Sequence, residues 1–283
     1  MIYTQWSGLF GNSDSTRERN AWGVIQLLGH RDLGSIADIR EGLQFPQPVV
    51  NRTLSCVATA PLGRPIQQFK SIPELLEVLR DLVKALRSLY LDARILHRDI
   101  AIKNLIIAFQ PEADGPKGVL IDLDGALDLD NVSPVEPLIG SDGFMAIGIL
   151  SGQRHTYRHD LESLFYVFLW LAIGNDHERE EAYDILEGLP KESRLRHWCS
   201  MDFEAVGREK AADMSPQGFV RILGEFSPDF VPLRGLAREL HALLFPLREG
   251  KVFTGTEMRS GATERLYEGM VDAFNRSALT FHK

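Results

Sequence analysis

The sequence predicts an α+β fold, a mostly helical body preceded by a smaller part that carries short strands. Three observations predict it. A helix with a strong start signal runs from Ser71 to about Asp92. Two β-branched runs, Asn104–Phe109 and Val119–Asp122, follow it across the turn-rich loop PEADGPKG. Residues 160–173 then form a helix that is apolar nearly all round and must be buried on most sides.

In chain order, the first element is a moderate helical pattern from Thr16 to about His30, with Trp22, Ile25 and Leu28 roughly on one side. Short strand-like runs follow at Ile36–Leu43 and Leu54–Ala60, separated by Pro46 and Pro48. Pro61-Leu-Gly-Arg-Pro65 reads as a hinge, so residues 1–60 form a small first part and 61–283 the large second part of a single domain, 1–283. Ser71-Ile-Pro-Glu74 has the capping-box form, in which the Ser hydroxyl accepts a backbone N–H three residues on and the Glu reaches back. Leu75, Val78, Leu79, Leu82, Leu86 and Leu89 make the buried face of this helix, with Arg80, Asp81, Lys84 and Arg87 opposite. Asp114-Gly115 and Pro116 suit a hairpin loop between the two strands. Further helical patterns lie at 194–213, 233–244 and 262–274, with Pro190, Pro216, Pro228 and Pro246 in loops.

Composition narrows the function classes. The 283 residues hold 31 basic and 39 acidic side chains, a net charge of −8, which argues against non-specific nucleic-acid binding or a basic membrane-surface role. With 44% hydrophobic and 25% charged residues the chain can bury a sizeable core. Cys56 and Cys199 are far apart, which supports neither a disulfide framework nor a zinc site. The start MIYTQWSGLFGNSDS lacks the basic and apolar regions of a signal peptide, and the apolar run Leu164–Ile173 is too short to span a bilayer. An intracellular protein, cytoplasmic or nuclear, is expected.

Three motifs carry chemistry. The first is Ile95-Leu-His97-Arg98-Asp99-Ile-Ala-Ile-Lys103-Asn104, feeding straight into a β-branched strand. An Asp at the mouth of such a loop can hold a substrate hydroxyl and accept its proton, and an Asn five residues on can offer its amide oxygen to Mg²⁺. The second is Gly118-Val-Leu-Ile-Asp122-Leu123-Asp124-Gly125, a carboxylate at the end of a buried strand, where a divalent cation can be held. The third is Gly140-Ser141-Asp142-Gly143-Phe144-Met145-Ala146 followed by His155-Thr-Tyr-Arg-His159-Asp160-Leu-Glu162-Ser163 at the start of the apolar helix.

From about Leu54 to Ile173 these motifs resemble the fungal-type protein kinase family, through the HRDI loop with its Asn104, the LIDLD stretch, the FMA segment and the HDLES helix with its FYV run. The region from Leu195-Arg-His-Trp198 to Lys210 is also similar, more weakly. The resemblance implies a protein-kinase-like fold, with a mostly helical C-lobe at 61–283 and a short remnant of the β-rich N-lobe at 1–60. It implies ATP and Mg²⁺ as cofactors and a protein substrate or partner. Asp99 would be the catalytic base, Asn104 and Asp122 the Mg²⁺ ligands, and Leu123 an apolar anchor. Arg98 would pair with a phosphate on the activation segment, and Asp160 would brace the catalytic loop. His97 is expected to pack beneath Asp122, while His155 and His159 read as loop and helix-start residues.

The chain also departs from that family pattern. Neither a Gly-rich loop nor a strand Lys of the VAIK type is recognisable before Thr16, since Gly8-Leu-Phe-Gly11 is not GxGxxG, so a truncated N-lobe is expected. Ala101 stands where serine/threonine kinases carry a Lys, and Lys103 can supply that charge. Ser141 points to serine/threonine rather than tyrosine specificity. Gly148 replaces the Glu that ordinarily fixes the segment's end. One of Asp128, Asp130, Glu136 and Asp142 is expected to replace a phosphate beside Arg98. Three readings follow: a phosphotransferase acting on protein Ser/Thr hydroxyls, a pseudokinase that works as a protein-interaction module, and a small-molecule kinase of the aminoglycoside/choline type.

Overall fold

In the computed structural model, residues 20–40, 52–111, 114–131, 137–174, 186 and 188–281 are described. The chain enters by docking onto later elements. Trp22 N donates to Ser88 Oγ (3.0 Å), Leu120 N donates to Gly23 O (2.9 Å), and Ile25 N donates to Leu120 O (2.9 Å). It continues as β1 (Gln26–Ser35). The helix expected over 16–30 is therefore corrected in its described part, 20–30, which holds a turn at 22–23 and then the start of a strand; residues 16–19 lie outside the described residues. The apolar spacing there marks no buried helix face, because Leu28 is 67% exposed. Long-range backbone pairing, invisible to a local periodicity, decides the conformation.

A capping box ends β1: Ser35 Oγ accepts from Asp38 N (3.2 Å) and Asp38 Oδ2 accepts from Ser35 N (2.7 Å), which starts the short helix α1 (Ile36–Ile39). The strand-like reading of 36–43 is thus corrected over 36–39, and its last three residues lie outside the described residues. β2 (Thr53–Ala60) falls where expected and pairs antiparallel with β1. The stretch read as a hinge is partly a strand. β3 (Gly63–Pro65) pairs antiparallel with a later strand, and Phe109 N donates to Leu62 O (3.1 Å). Pro65 is tolerated there because β3 is an edge strand.

The capped helix α2 (Ile72–Leu91) forms as the sequence predicts, with Ser71 Oγ accepting from Glu74 N (3.3 Å). Glu74 reaches back past the cap to Lys70 N (2.6 Å) and Arg64 Nη2 (2.6 Å), so it ties the helix start to β3. All six predicted face residues are buried. Asp81, expected on the polar side, is buried too, and its carboxylate accepts from Lys117 N (2.9 Å) in the hairpin loop and from Arg80 (2.8 Å).

After β4 (Ile95–Leu96) and the loop 97–104, β5 (Leu105–Ala108) and β6 (Gly118–Leu120) form the predicted hairpin, with β5 in the centre of a three-stranded sheet beside β3. β7 (Leu127–Asp128) returns to pair with β4. The short helix α3 (Ile147–Leu150) precedes α4 (Tyr157–Ile173), every residue of which is buried. That is the central post the sequence requires. Around it pack α5 (Phe203–Asp213), α6 (Pro216–Gly224) and α7 (Arg234–Leu244). The small hairpin β8 (Leu247–Arg248) and β9 (Lys251–Val252) leads to α8 (Ala262–Phe281), which lies along α2. Pro216, expected in a loop, instead opens α6 at the one helical position where a missing N–H costs nothing, with Ser215 Oγ accepting from Gly218 N (3.0 Å). No helix among the described residues is long and apolar enough to cross a membrane.

Removing the hydroxyl that caps α2 should cost about 1 kcal/mol, the usual value for a lost Ser cap. Ser71→Ala is expected to lower the unfolding free energy from chemical denaturation by that amount, through a lower midpoint at unchanged m-value, and an effect below a few tenths of a kcal/mol would contradict the cap.

Candidate active site

The loop between β4 and β5 is short and has no regular hydrogen bonding until its final 3-10 turn, Ile102–Asn104. Its conformation is imposed from outside by Asp160, in the first turn of α4. The carboxylate accepts from His97 N (3.0 Å), Arg98 N (3.0 Å) and His155 Nε2 (2.8 Å). Burial opposes its charge, yet the His155 imidazole and the His97 contacts hold the carboxyl below the usual carboxylate range. Arg98 sits in the left-handed region at φ 68°, which a non-glycine residue adopts only when its surroundings enforce it.

His97 is fully buried and joins this loop to the next one. Its Nδ1 accepts from Asp99 N (3.4 Å) and its Nε2 lies 3.1 Å from Ile121 O, the carbonyl just before Asp122. The two loops meet again where Ile121 N donates to Asn104 O (3.0 Å). Asp122 follows at φ 66°, and Leu123 behind it is buried.

Asp99 is the centre of a polar cluster. Oδ1 accepts from Ser141 Oγ (2.7 Å), while Oδ2 accepts from Asn104 Nδ2 (3.0 Å) and lies 3.4 Å from Lys103 Nζ. Asn104 Nδ2 also donates to the Asp99 carbonyl (2.8 Å). The geometry thus brings Asp99, Lys103 and Asn104 together, and the Ile121 bridge ties the residue before Asp122 to the Asn104 backbone. Arg98 turns away from this cluster, its Nε donating to Gly125 O (2.7 Å). Ser141, which the motif singled out for specificity, lies directly on Asp99.

A cavity of about 260 Å³ opens next to Asp122, walled by Ile25, Val57, Thr59, Leu62, Ile106 and Ile121. Its walls come from both the β1–β2 hairpin and the β5–β6 hairpin, a junction that periodicity alone cannot place. A second cavity of about 250 Å³ lies beside Arg98, with Leu138, Ile139, Arg154 and His155 on its walls. Of the acids expected near Arg98, Asp128 accepts from Asp130 N (2.9 Å) and Asn131 Nδ2 (2.8 Å), and Asp130 faces Arg94 at 3.5 Å. Glu136 lies outside the described residues.

The segment after Ser141 ends in an arrangement the sequence did not disclose. Glu162, fully buried, accepts from Ile147 N (2.7 Å) and Tyr166 Oη (2.7 Å) and pairs with Arg158. At Gly148 a Cβ would collide with His159 Nε2 and press on Gln153 Oε1, so a glycine is required where the family pattern has a Glu. His159 is more than a helix-start residue. Its Nδ1 accepts from Thr156 N (3.0 Å) and completes a capping box, which leaves the proton on Nε2, a buried atom without a partner among the described residues. Burial pushes this imidazole down to about 4.

The donor set of the site is compatible with a divalent cation. Both Asn104 N–H contacts are directed at Asp99, so its amide oxygen is left for another partner, and the Asp122 carboxylate receives only a long bond from Asp124 N (3.4 Å) among the described residues. Oxygen ligands of this kind suit Mg²⁺. No three His, Cys, Asp or Glu side chains among the described residues converge as a metal cluster. A cation here would accordingly need further oxygens from a ligand.

Residues 11–172 match the fungal protein kinase family. The match spans more than half of the chain, and the chain belongs to that family. No curated protein sequence matches it.

Two outcomes follow from the buried groups. Asp160→Ala leaves two loop N–H groups and His155 without their acceptor, and breaking one partner of a buried charged set costs on the order of 3–5 kcal/mol; chemical denaturation reading a loss under about 1 kcal/mol would contradict the bracing role. His159 titrates near 6.5 when unfolded but near 4 when folded, so the unfolded chain takes up the proton first as pH falls. Stability should drop by up to about 3 kcal/mol between those two values. His159→Gln keeps the cap and should flatten that part of the stability–pH curve; an unchanged slope would exclude His159 as its source.

Proposed function

We propose that the chain is a protein-kinase-type phosphotransferase that moves the γ-phosphoryl group of ATP, with Mg²⁺, to a Ser or Thr hydroxyl of a protein. The observation that carries this reading is the Asp99 carboxylate held between Ser141, Asn104 and Lys103. In a protein-kinase-like fold, residues 1–60 would be a partial N-lobe and 61–283 the C-lobe. The 260 Å³ cavity beside Asp122 would take the nucleotide base between the two.

Catalysis of phosphoryl transfer is almost entirely positioning and electrostatics. Asp99 would accept the hydroxyl proton, the Ser141 contact at Oδ1 marking where an incoming hydroxyl is received. Lys103, 3.4 Å from the same carboxylate, would place a positive charge next to the transferred group, in place of the Lys missing at position 101. The Asn104 amide, with its N–H groups on Asp99, would present its oxygen to the cation, and Asp122 would supply the carboxylate ligand. Mg²⁺ supplies charge neutralisation of the phosphate oxygens when bound there. Arg98 would act on the activation segment beside the second cavity rather than on the reacting atoms. Ser141 supports a serine/threonine acceptor.

The test is a thermal-shift titration with ATP and Mg²⁺, joined to a phosphotransfer assay. At 100 times its dissociation constant a ligand of the folded state adds about 2.7 kcal/mol of stability. The parent should show that shift, Asp122→Asn should lose it, and Asp99→Asn should keep it while transfer falls by roughly 10²–10⁴-fold. A parent that neither shifts nor transfers at millimolar ATP would reject the phosphotransferase reading in favour of a protein-interaction role.

A further inference from the structure

Lys210 lies on α5, far from Asp99 in sequence, and is fully buried. Its Nζ donates to Gly143 O (2.8 Å) and Met145 O (2.7 Å) and stands over the rings of Tyr166 (4.2 Å) and Trp198 (4.9 Å). Among the described residues no carboxylate is within ion-pair distance of it, so carbonyl dipoles and ring faces solvate the ammonium. Burial pushes it down to about 7, with Glu162 and Cys199 acting in the opposite direction.

The two carbonyls flank Phe144, whose ring packs on Trp170 with centroids 5.1 Å apart. Phe144 N in turn donates to Ser141 O (3.1 Å), closing the turn that carries the Ser141 hydroxyl to Asp99. The turn tolerates no slack. Gly143 has φ +82°, and a Cβ there would press on Trp170 and on Cys199 Sγ. One residue beyond the FMA segment, Glu162 holds Ile147 N. The segment is thereby gripped from beneath on both its carbonyl and its amide side, without the Glu that position 148 lacks.

We propose that Lys210 is a positioning residue for the transfer reaction, fixing the 143–145 backbone so that Ser141 holds the Asp99 carboxylate in the orientation that receives the acceptor hydroxyl. This rests on the phosphotransferase reading for its catalytic half; the grip on the segment rests on geometry alone. Lys210 touches none of the reacting groups. Its effect on them passes through the turn.

Lys210→Met keeps length and apolar bulk but removes both donors, and hydrogen exchange of the Phe144 and Ile147 amides reads the consequence directly. Those amides are expected to exchange ~10-fold faster or more while the amides of α2 stay as they are. With ATP and a protein substrate, kcat should fall on the order of 10–100-fold, as misplacement by about an ångström does, with the ATP–Mg²⁺ thermal shift retained. Lys210→Arg, which retains the donors, should recover part of kcat. Parent-like exchange at both amides in Lys210→Met would overturn the grip, and unchanged kcat with faster exchange would overturn the positioning role. Should Lys210→Met fail to fold, native-state exchange of the parent decides: the two amides should open only with global unfolding, and local fraying there overturns the proposal. A parent without phosphotransfer rejects the underlying reading, and the exchange data still decide the grip.

Discussion

The Asp160 carboxylate accepts hydrogen bonds from three groups in stretches with no regular structure of their own, two backbone N–H groups of the loop at His97 and Arg98 and the ring of His155. Before its final 3-10 turn that loop has neither a helical ladder nor a sheet partner to set its shape, and Arg98 occupies a backbone conformation that costs roughly 1–3 kcal/mol in isolation. Charge-assisted bonds to a buried carboxylate are worth about 1.5–3 kcal/mol each, enough in sum to hold it. Asp160 is itself immobile because α4 is buried along its whole length. Rigidity therefore passes from the core of the helical body to the loop, and from the loop to Asp99 and Asn104. The contacts of Asp99 with Ser141, Asn104 and Lys103 depend on that transfer.

The N-terminal stretch contributes through a second constraint. Residues 23–25 are zipped to Leu120 at the end of β6, one residue from the Ile121 bridge that joins the Asn104 and Asp122 loops. A two-stranded hairpin such as β1–β2 is at best marginally stable alone. Anchored through Trp22 N on Ser88 and Gly23 O on Leu120 N, it becomes one wall of the cavity beside Asp122. The same short strand thus positions a metal-ligand candidate on one side and a cavity wall on the other.

What could be read in the sequence and what could not divide along a physical line. The helix that starts after Ser71, the hairpin of β5 and β6 and the buried post read at 160–173 are all local patterns, and each is legible in the sequence. Asp81 reads as a polar-face residue because its neighbours at helical spacing are charged, yet it satisfies a backbone N–H 36 residues away, that of Lys117. The helix read over 16–30 fails in its described part, 20–30, for the same reason, since the partner of Gly23 and Ile25, Leu120, lies on β6. His155, Glu162 and Lys210 are single polar residues in motifs or helices where nothing nearby announces a role. Their partners exist only once the chain has folded.

The segment from Gly143 to Gly148 shows how a missing ion pair is replaced rather than merely lost. Without a carboxylate at 148 the space is taken by the neutral ring of His159, whose Nε2 would collide with any larger residue there. Anchoring is moved to the backbone instead, where Glu162 takes the Ile147 N–H. Burial opposes the charge of Glu162, and Arg158 beside it, tied in turn to Leu244 O (2.6 Å), holds its carboxyl below the usual range. A backbone contact is indifferent to side-chain identity at the position it holds, whereas an ion pair needs a specific residue at each end. A segment fastened in this way can vary its outward side chains without loosening its path beneath them, which leaves Ser141 half-buried on Asp99 and Asp142 exposed while Phe144 and Ile147 remain in the core.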